Sequence, residues 1–153
     1  MIMAGGDTHG PGPGAVEAAT WVFDLDGCLI DSLTGRSLRP GAVELLAQLH
    51  NGAATVMMWS AGGAAYAQER VTALGIGRYF QSFHDKQGRD ADGRYTTDGF
   101  LSGRRQVIFV DDHPEDLPVD ADVVAVRPYL AADIHDRGLE PVALRAELGR
   151  ARS

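Results

Sequence analysis

The run Trp21-Val22-Phe23-Asp24-Leu25-Asp26-Gly27 is an apolar stretch that stops on two carboxylates set two residues apart. A short, uninterrupted apolar run of this kind forms a strand buried on both faces, and such strands belong to parallel sheets covered on both sides. Two acidic side chains at the end of that strand are costly unless a cation or a reaction uses them. The pattern recurs along the chain. Ser60, Lys86 and Asp111-Asp112 each follow an apolar run, so four polar segments close four candidate strands.

Strand and helix signals alternate between these points. Strands are expected over 20–25, 53–59, 79–83, 106–110 and 123–126, with a small flap or hairpin over 27–39. Pro40-Gly41 opens a helix carrying Val43, Leu46 and Leu49 on its apolar face, and Asn51-Gly52 stops it. Ser60 is placed to cap a second helix, with Ala64, Ala67, Val71 and Leu74 on one face and Gly75 at its end. Residues 87–94 are expected as an exposed polar loop, and 131–150 as helix in two pieces broken near Gly138 and Pro141. Repeated strand-then-helix order implies an α/β fold, a Rossmann-like three-layer sandwich with a mainly parallel central sheet. Ligands of such sheets bind at the carboxyl ends of the strands, where all four polar segments fall.

The chain has 153 residues, 44% of them hydrophobic, which suits one core and a single catalytic domain over 19–150. Residues 1–18 are rich in Gly and Pro and read as a flexible leader without the features of a signal peptide. A net charge of -7 argues against extended nucleic-acid binding. The lone cysteine, Cys28, forms no internal disulfide, and a reducing, cytoplasmic setting suits it. No apolar run approaches the ~20 residues that cross a bilayer, so no membrane partner is expected. The oligomeric state is open.

A strand-end carboxylate can attack a phosphoryl group and split hydrolysis into two easier steps. Asp24 is the candidate nucleophile, and Asp26 the acid that protonates the leaving oxygen and then deprotonates the attacking water. Gly27 suits a sharp exit from the strand. Asp111-Asp112 repeats the acidic strand end, and two such ends suggest a shared hard cation such as Mg²⁺, which takes oxygen ligands. Asp24 and Asp111 are expected as direct ligands, with Asp112 binding through water or orienting a ligand and Asp116 as weaker support. Ser60 fits both an N-cap and a phosphate-binding hydroxyl, and the start Ala61-Gly62-Gly63 leaves backbone N–H groups accessible to an anion. Lys86, the single lysine among fourteen basic residues, could offset the carboxylates and bind the transferring phosphate. The alternatives are a surface lysine there and Arg94, Arg104 or Arg105 as the phosphate clamp. His84 and His113 read as incidental or substrate-facing, and Cys28, Met57, Met58 and Trp59 as packing.

Together the four segments resemble the motifs of the haloacid dehalogenase superfamily of phosphotransferases, from about Trp21 to Val126. The resemblance implies Asp24 as nucleophile, Asp26 as acid/base, Ser60 and Lys86 as phosphate-binding groups, and Mg²⁺ held with help from the Asp26 main-chain carbonyl. Arg39-Pro40-Gly41, Trp59-Ser60-Ala61-Gly62 and Tyr66-Ala67 are similar to the branch of small capless phosphatases and carboxyl-terminal-domain phosphatases. Two departures stand out: Cys28 replaces the usual Thr or Val, and Lys86 precedes a polar loop instead of a helix. The intervals where larger members insert a cap are short here, which implies no cap domain and an open site. The expected substrate is a phosphoprotein, a nucleotide or nucleic-acid end, or a small phosphate ester. Two other readings use the same residue types: a receiver-like phosphoacceptor signalling domain, and a catalytically silent interaction module with this fold.

Overall fold

The structure is a computed structural model that describes residues 18–97 and 99–151. Five strands form one parallel sheet: β1 (Thr20–Phe23), β2 (Thr55–Ser60), β3 (Ser82–Asp85), β4 (Val107–Asp111) and β5 (Asp122–Ala125). Their order is β3-β2-β1-β4-β5. The chain steps outward from β1 to β3 and returns to β4 on the other side of β1, so the strand order reverses at the β1–β4 boundary. A crevice opens at that point, at the carboxyl ends.

The pleat divides the core in two. Trp21 and Phe23 of β1, Val56 and Met58 of β2, and Ile108 and Val110 of β4 face helices α1 (Ala42–Asn51), α2 (Ala64–Ala73) and α3 (Glu140–Ala151). Val22, Met57, Trp59 and Phe109 face the other way, against Tyr95, Phe100 and Leu101 of the 86–106 segment and Leu117. The second outer layer is therefore built from a long loop and the 3-10 helix Pro114–Asp116, where the first is built from α-helices. Right-handed crossovers explain the split: connections running β1-β2-β3 fall on one face, and the return to β4 and β5 falls on the other.

Several local expectations need correction. Helix α1 buries Ala42, Leu45, Leu46 and Leu49, whereas Val43 is 42% exposed. The apolar stripe is rotated by one position because Ala42 opens the helix pointing inward. Strand β3 begins at Ser82, since Gly77–Tyr79 forms a 3-10 turn that tucks Tyr79 into the core instead. The C-terminal region holds one helix among its described residues. Pro141 is the second residue of α3, where its missing N–H breaks no bond, and 131–139 is irregular. The flap is present: Ile30 bridges Leu38 antiparallel and Asp26 parallel. Of the leader expected over 1–18, all but Ala18 lies outside the described residues. Among the described residues no helix is long and apolar enough to cross a membrane.

Candidate active site

Register decides which polar residues meet. Phe23 pairs with Met58 on one side and Val110 on the other, so Asp24 and Asp111 follow at the same level. The Asp24 N–H donates to the Val110 carbonyl at 3.0 Å, extending the ladder one residue past β1 and fixing the carboxylate over the strand end. Ser60 pairs with Asp85, and the Lys86 N–H donates to the Ser60 carbonyl at 3.0 Å, so Lys86 leaves β3 directed at the same crevice.

The Lys86 ammonium donates to Asp111 Oδ2 at 2.8 Å and to Asp24 Oδ1 at 3.3 Å, with its side chain 5% exposed. Its charge also lies 5.2 Å from the Trp59 ring centroid and 5.4 Å from that of Tyr95. Burial alone would lower the lysine pKa, but the two carboxylates outweigh it and hold the ammonium above its ordinary value. Asp24 is pushed well above the usual carboxylate range, chiefly by burial; Lys86 opposes the rise and Asp111 and Asp112 add to it. Burial also raises Asp111, against the pull of Lys86.

Carboxylate oxygens of Asp24, Asp111 and Asp112 lie within 4.8 Å of one another. Three carboxylates against one ammonium leave a net charge of minus two when all are ionised, which one divalent cation would balance. The hydrogen bonding within this group is uneven. Asp111 has both oxygens engaged, Oδ2 by Lys86 and Oδ1 by the His113 N–H at 2.8 Å. Asp112 Oδ1 is buried without a hydrogen-bond partner. Gly27 makes room for this residue: a Cβ there would stand 2.6 Å from Asp112 Oδ2, and its φ of +79° favours glycine independently. An all-oxygen donor set with one unpartnered buried oxygen fits a hard cation such as Mg²⁺.

Asp26 lies beyond this group, at the root of the flap, where Tyr66 of α2 donates its hydroxyl to Oδ1 at 2.9 Å. Burial, then the hydrogen bond to Asp26 and the charge of Asp26, push the tyrosine pKa up to about 12, so it remains a donor. Ser60 is 1% exposed and accepts a hydrogen bond from the Gly62 N–H at 3.1 Å, with exposed Ala61 between them. It is not the N-cap of α2, which starts four residues later. Asp85 takes that place, accepting from the Ala64 N–H at 2.6 Å.

The other candidates are elsewhere. Arg104 reaches Thr55, at the amino end of β2 and so at the opposite pole of the sheet, and Arg105 is its neighbour there. Arg94 donates to the Leu117 carbonyl in the loop layer. Asp116 ends the 3-10 helix and accepts the Tyr95 N–H on its carbonyl. His84 stacks on Phe100 with centroids 4.1 Å apart. His113 pairs with Asp112 and Glu115 at the rim. Cys28 is buried, its thiol directed at the Val110 carbonyl.

Sequence reasoning singled out Tyr66 and Arg39 only through the family branch, and it missed Asp85 and Asp136. Arg39, with a fully buried side chain, donates from Nε and Nη2 to Asp136 at 2.6 and 3.2 Å and from Nη1 to the Cys28 carbonyl at 3.2 Å. It ties the loop after Asp26 to the segment preceding α3. A partner ninety-seven positions away leaves no local signal.

The fold is similar to known structures at low identity. The core domain of a protein provisionally assigned as a phosphoglycolate phosphatase from Streptococcus pneumoniae matches with TM-score 0.52 and 15% identity, over 82% of this chain and 88% of that one. An uncharacterized protein from Listeria monocytogenes serotype 4b matches with TM-score 0.50 and 15% identity, over 87% and 99%. No curated protein matches the sequence. The profile of the NLI interacting factor-like phosphatases matches residues 19–148, nearly the whole described chain. With that match and this α/β architecture, the chain belongs to the NLI interacting factor-like phosphatase family, haloacid dehalogenase-like enzymes that hydrolyse phosphoric monoesters.

Proposed function

We propose that this protein is a Mg²⁺-dependent phosphomonoesterase that acts through a phosphorylated Asp24. The observation that carries the reading is the placement of Lys86 between Asp24 and Asp111, with the unpartnered oxygen of Asp112 in the same group. Asp24 attacks phosphorus, an Oδ–P bond forms, and the ester P–O bond breaks as Asp26 gives its proton to the leaving oxygen. Asp26 then takes a proton from water, the water oxygen bonds to phosphorus, and the Asp24–phosphorus bond breaks to release inorganic phosphate. Lys86 neutralises the charge gathering on the phosphoryl oxygens, and the Ser60 hydroxyl with the backbone at Ala61 receives them from the other side.

Asp24 and Asp112 would hold the Mg²⁺ directly, with the Asp26 main-chain carbonyl. Asp111 is assigned to orienting Lys86, since both of its oxygens are already engaged. A bound Mg²⁺ supplies positive charge that keeps Asp24 ionised and offsets the charge of the phosphate. The site is open, because the flap and helix α2 fill the intervals where a cap would be inserted. It suits a phosphoprotein, a nucleotide or nucleic-acid end, or a small phosphate ester; the net charge of -7 makes the nucleic-acid end the poorest of these substrates. A reducing, cytoplasmic setting suits the buried thiol of Cys28. The catalytic unit is taken as 19–150.

The sheet order supports this reading over a receiver-like signalling domain, since flavodoxin-like receivers use the order 2-1-3-4-5. The test is Asp24→Asn. Turnover of 4-nitrophenyl phosphate with Mg²⁺ should fall at least about a thousandfold, and acid-quenched labelling should find phosphate on Asp24 of the wild type alone. Full turnover by the variant would sink the reading. A stable phosphoprotein without turnover would favour a phosphoacceptor.

A further inference from the structure

Asp26 sits at the root of the flap, and among the described residues the Tyr66 hydroxyl is the one group that hydrogen-bonds its side chain. Tyr66 is 36% exposed, and its ring and hydroxyl run past two glycines. A Cβ on Gly62 would stand 2.8 Å from its ring, so the glycine-rich turn after Ser60 admits the aromatic face. A Cβ on Gly35 of the flap would lie 3.4 Å from its hydroxyl. Arg70, one helical turn further along α2, donates to the Gly35 carbonyl at 3.0 Å and holds the flap against the same helix. The tyrosine thus lies between the turn and the flap, with its hydroxyl directed at Asp26.

We propose that Tyr66 is a positioning residue for phosphoryl transfer, which fixes the Asp26 carboxyl through Oδ1 and leaves Oδ2 to serve the leaving oxygen. The inference rests on the assignment of Asp26 as acid/base. A carboxyl at an open site has rotamers directed to solvent, and proton transfer requires it within hydrogen-bond reach of the leaving group. In a site without a cap, the hydroxyl on α2 supplies an order that a closing lid would otherwise impose.

The readout is the dependence of kcat/KM on leaving group, because a good leaving group needs no proton and a poor one does. Wild type, Tyr66→Phe and Asp26→Asn are compared on 2,4-dinitrophenyl, 4-nitrophenyl and phenyl phosphate with Mg²⁺. Tyr66→Phe should lose no more than about 3-fold on the dinitrophenyl ester and about 30-fold or more on phenyl phosphate, a smaller version of the trend in Asp26→Asn. Tyr66→Leu, which keeps an apolar side chain without a hydroxyl, should give the same steepening and serves if the first variant folds poorly. In the Asp26→Asn background, Tyr66→Phe should add no further slope. An equal loss on all three esters, or an undiminished rate on phenyl phosphate, overturns the proposal. Its failure is distinct from failure of the nucleophile assignment, which Asp24→Asn alone decides.

Discussion

Lys86 is an ammonium buried beneath two aromatic rings and balanced by two carboxylates. Removing one partner of such a group leaves the others buried and unpaired, which is costlier than never having built it. Lys86→Met should therefore lower stability without metal by about 3 kcal/mol, from urea unfolding in a chelator. Saturating Mg²⁺ should recover part of that loss, because a divalent ion answers the same excess of carboxylates. Turnover should still fall about a hundredfold or more, since the charge on the phosphoryl group loses its fixed counter-charge. A variant of unchanged stability and activity would show that the carboxylates do not depend on this lysine. The residue was legible in the sequence as the sole lysine after an apolar run; that it spans Asp24 and Asp111 was not, because the contact follows from the register of three strands.

At the scale of elements, α2 shows how a local rule gives way to a neighbouring strand. Ser60 looked like the cap because it separates an apolar strand from a helical pattern. Gly62 and Gly63 let the chain turn before the helix begins, and the first free N–H groups then face β3. Asp85 supplies the oxygen to Ala64 from there, and its charge complements the helix dipole. Asp85→Ala should cost about 1 kcal/mol in denaturant unfolding, while the bond from the Trp59 ring N–H to the Asp85 main-chain carbonyl is retained. An unchanged midpoint would mean that α2 is held by its packing alone. Strands β1, β2 and β4 were legible because buried parallel strands are continuous apolar runs, whereas β3, Ser-Phe-His-Asp and only partly buried, starts three residues later than its apolar neighbours suggest. The phase of α1 was not: Val43 and Ala42 are both apolar, and only packing against the sheet selects Ala42.

Across the whole molecule, the Arg39–Asp136 pair joins the loop after Asp26 to the segment before α3. Burial raises the Asp136 carboxyl, but the hydrogen bonds from Arg39 and the Gly138 N–H and the charge of Arg39 outweigh it and hold the pKa below the usual range. A carboxylate whose folded pKa is depressed contributes stability above its unfolded pKa, and that contribution is lost as pH falls through the folded value. The stability gap between wild type and Asp136→Asn should thus be fully present at neutral pH, about 3 kcal/mol, and should narrow below about pH 4. A gap independent of pH would remove the ion pair as its source. The carbonyl of Cys28 also depends on Arg39, so the variant should lose activity even where it remains folded.

By itself the sequence determined the parallel α/β architecture, the identity of the acidic strand ends and the lack of room for a cap. Each of these is a property of continuous segments: apolar runs, their punctuation and their spacing. The tertiary structure decided which partners the strand ends meet. It engaged both oxygens of Asp111, left Asp112 with an unpartnered one, set Tyr66 on Asp26, gave the cap of α2 to Asp85, and covered one sheet face with a loop. Those outcomes depend on register and crossover hand, which bring residues dozens of positions apart within hydrogen-bonding distance.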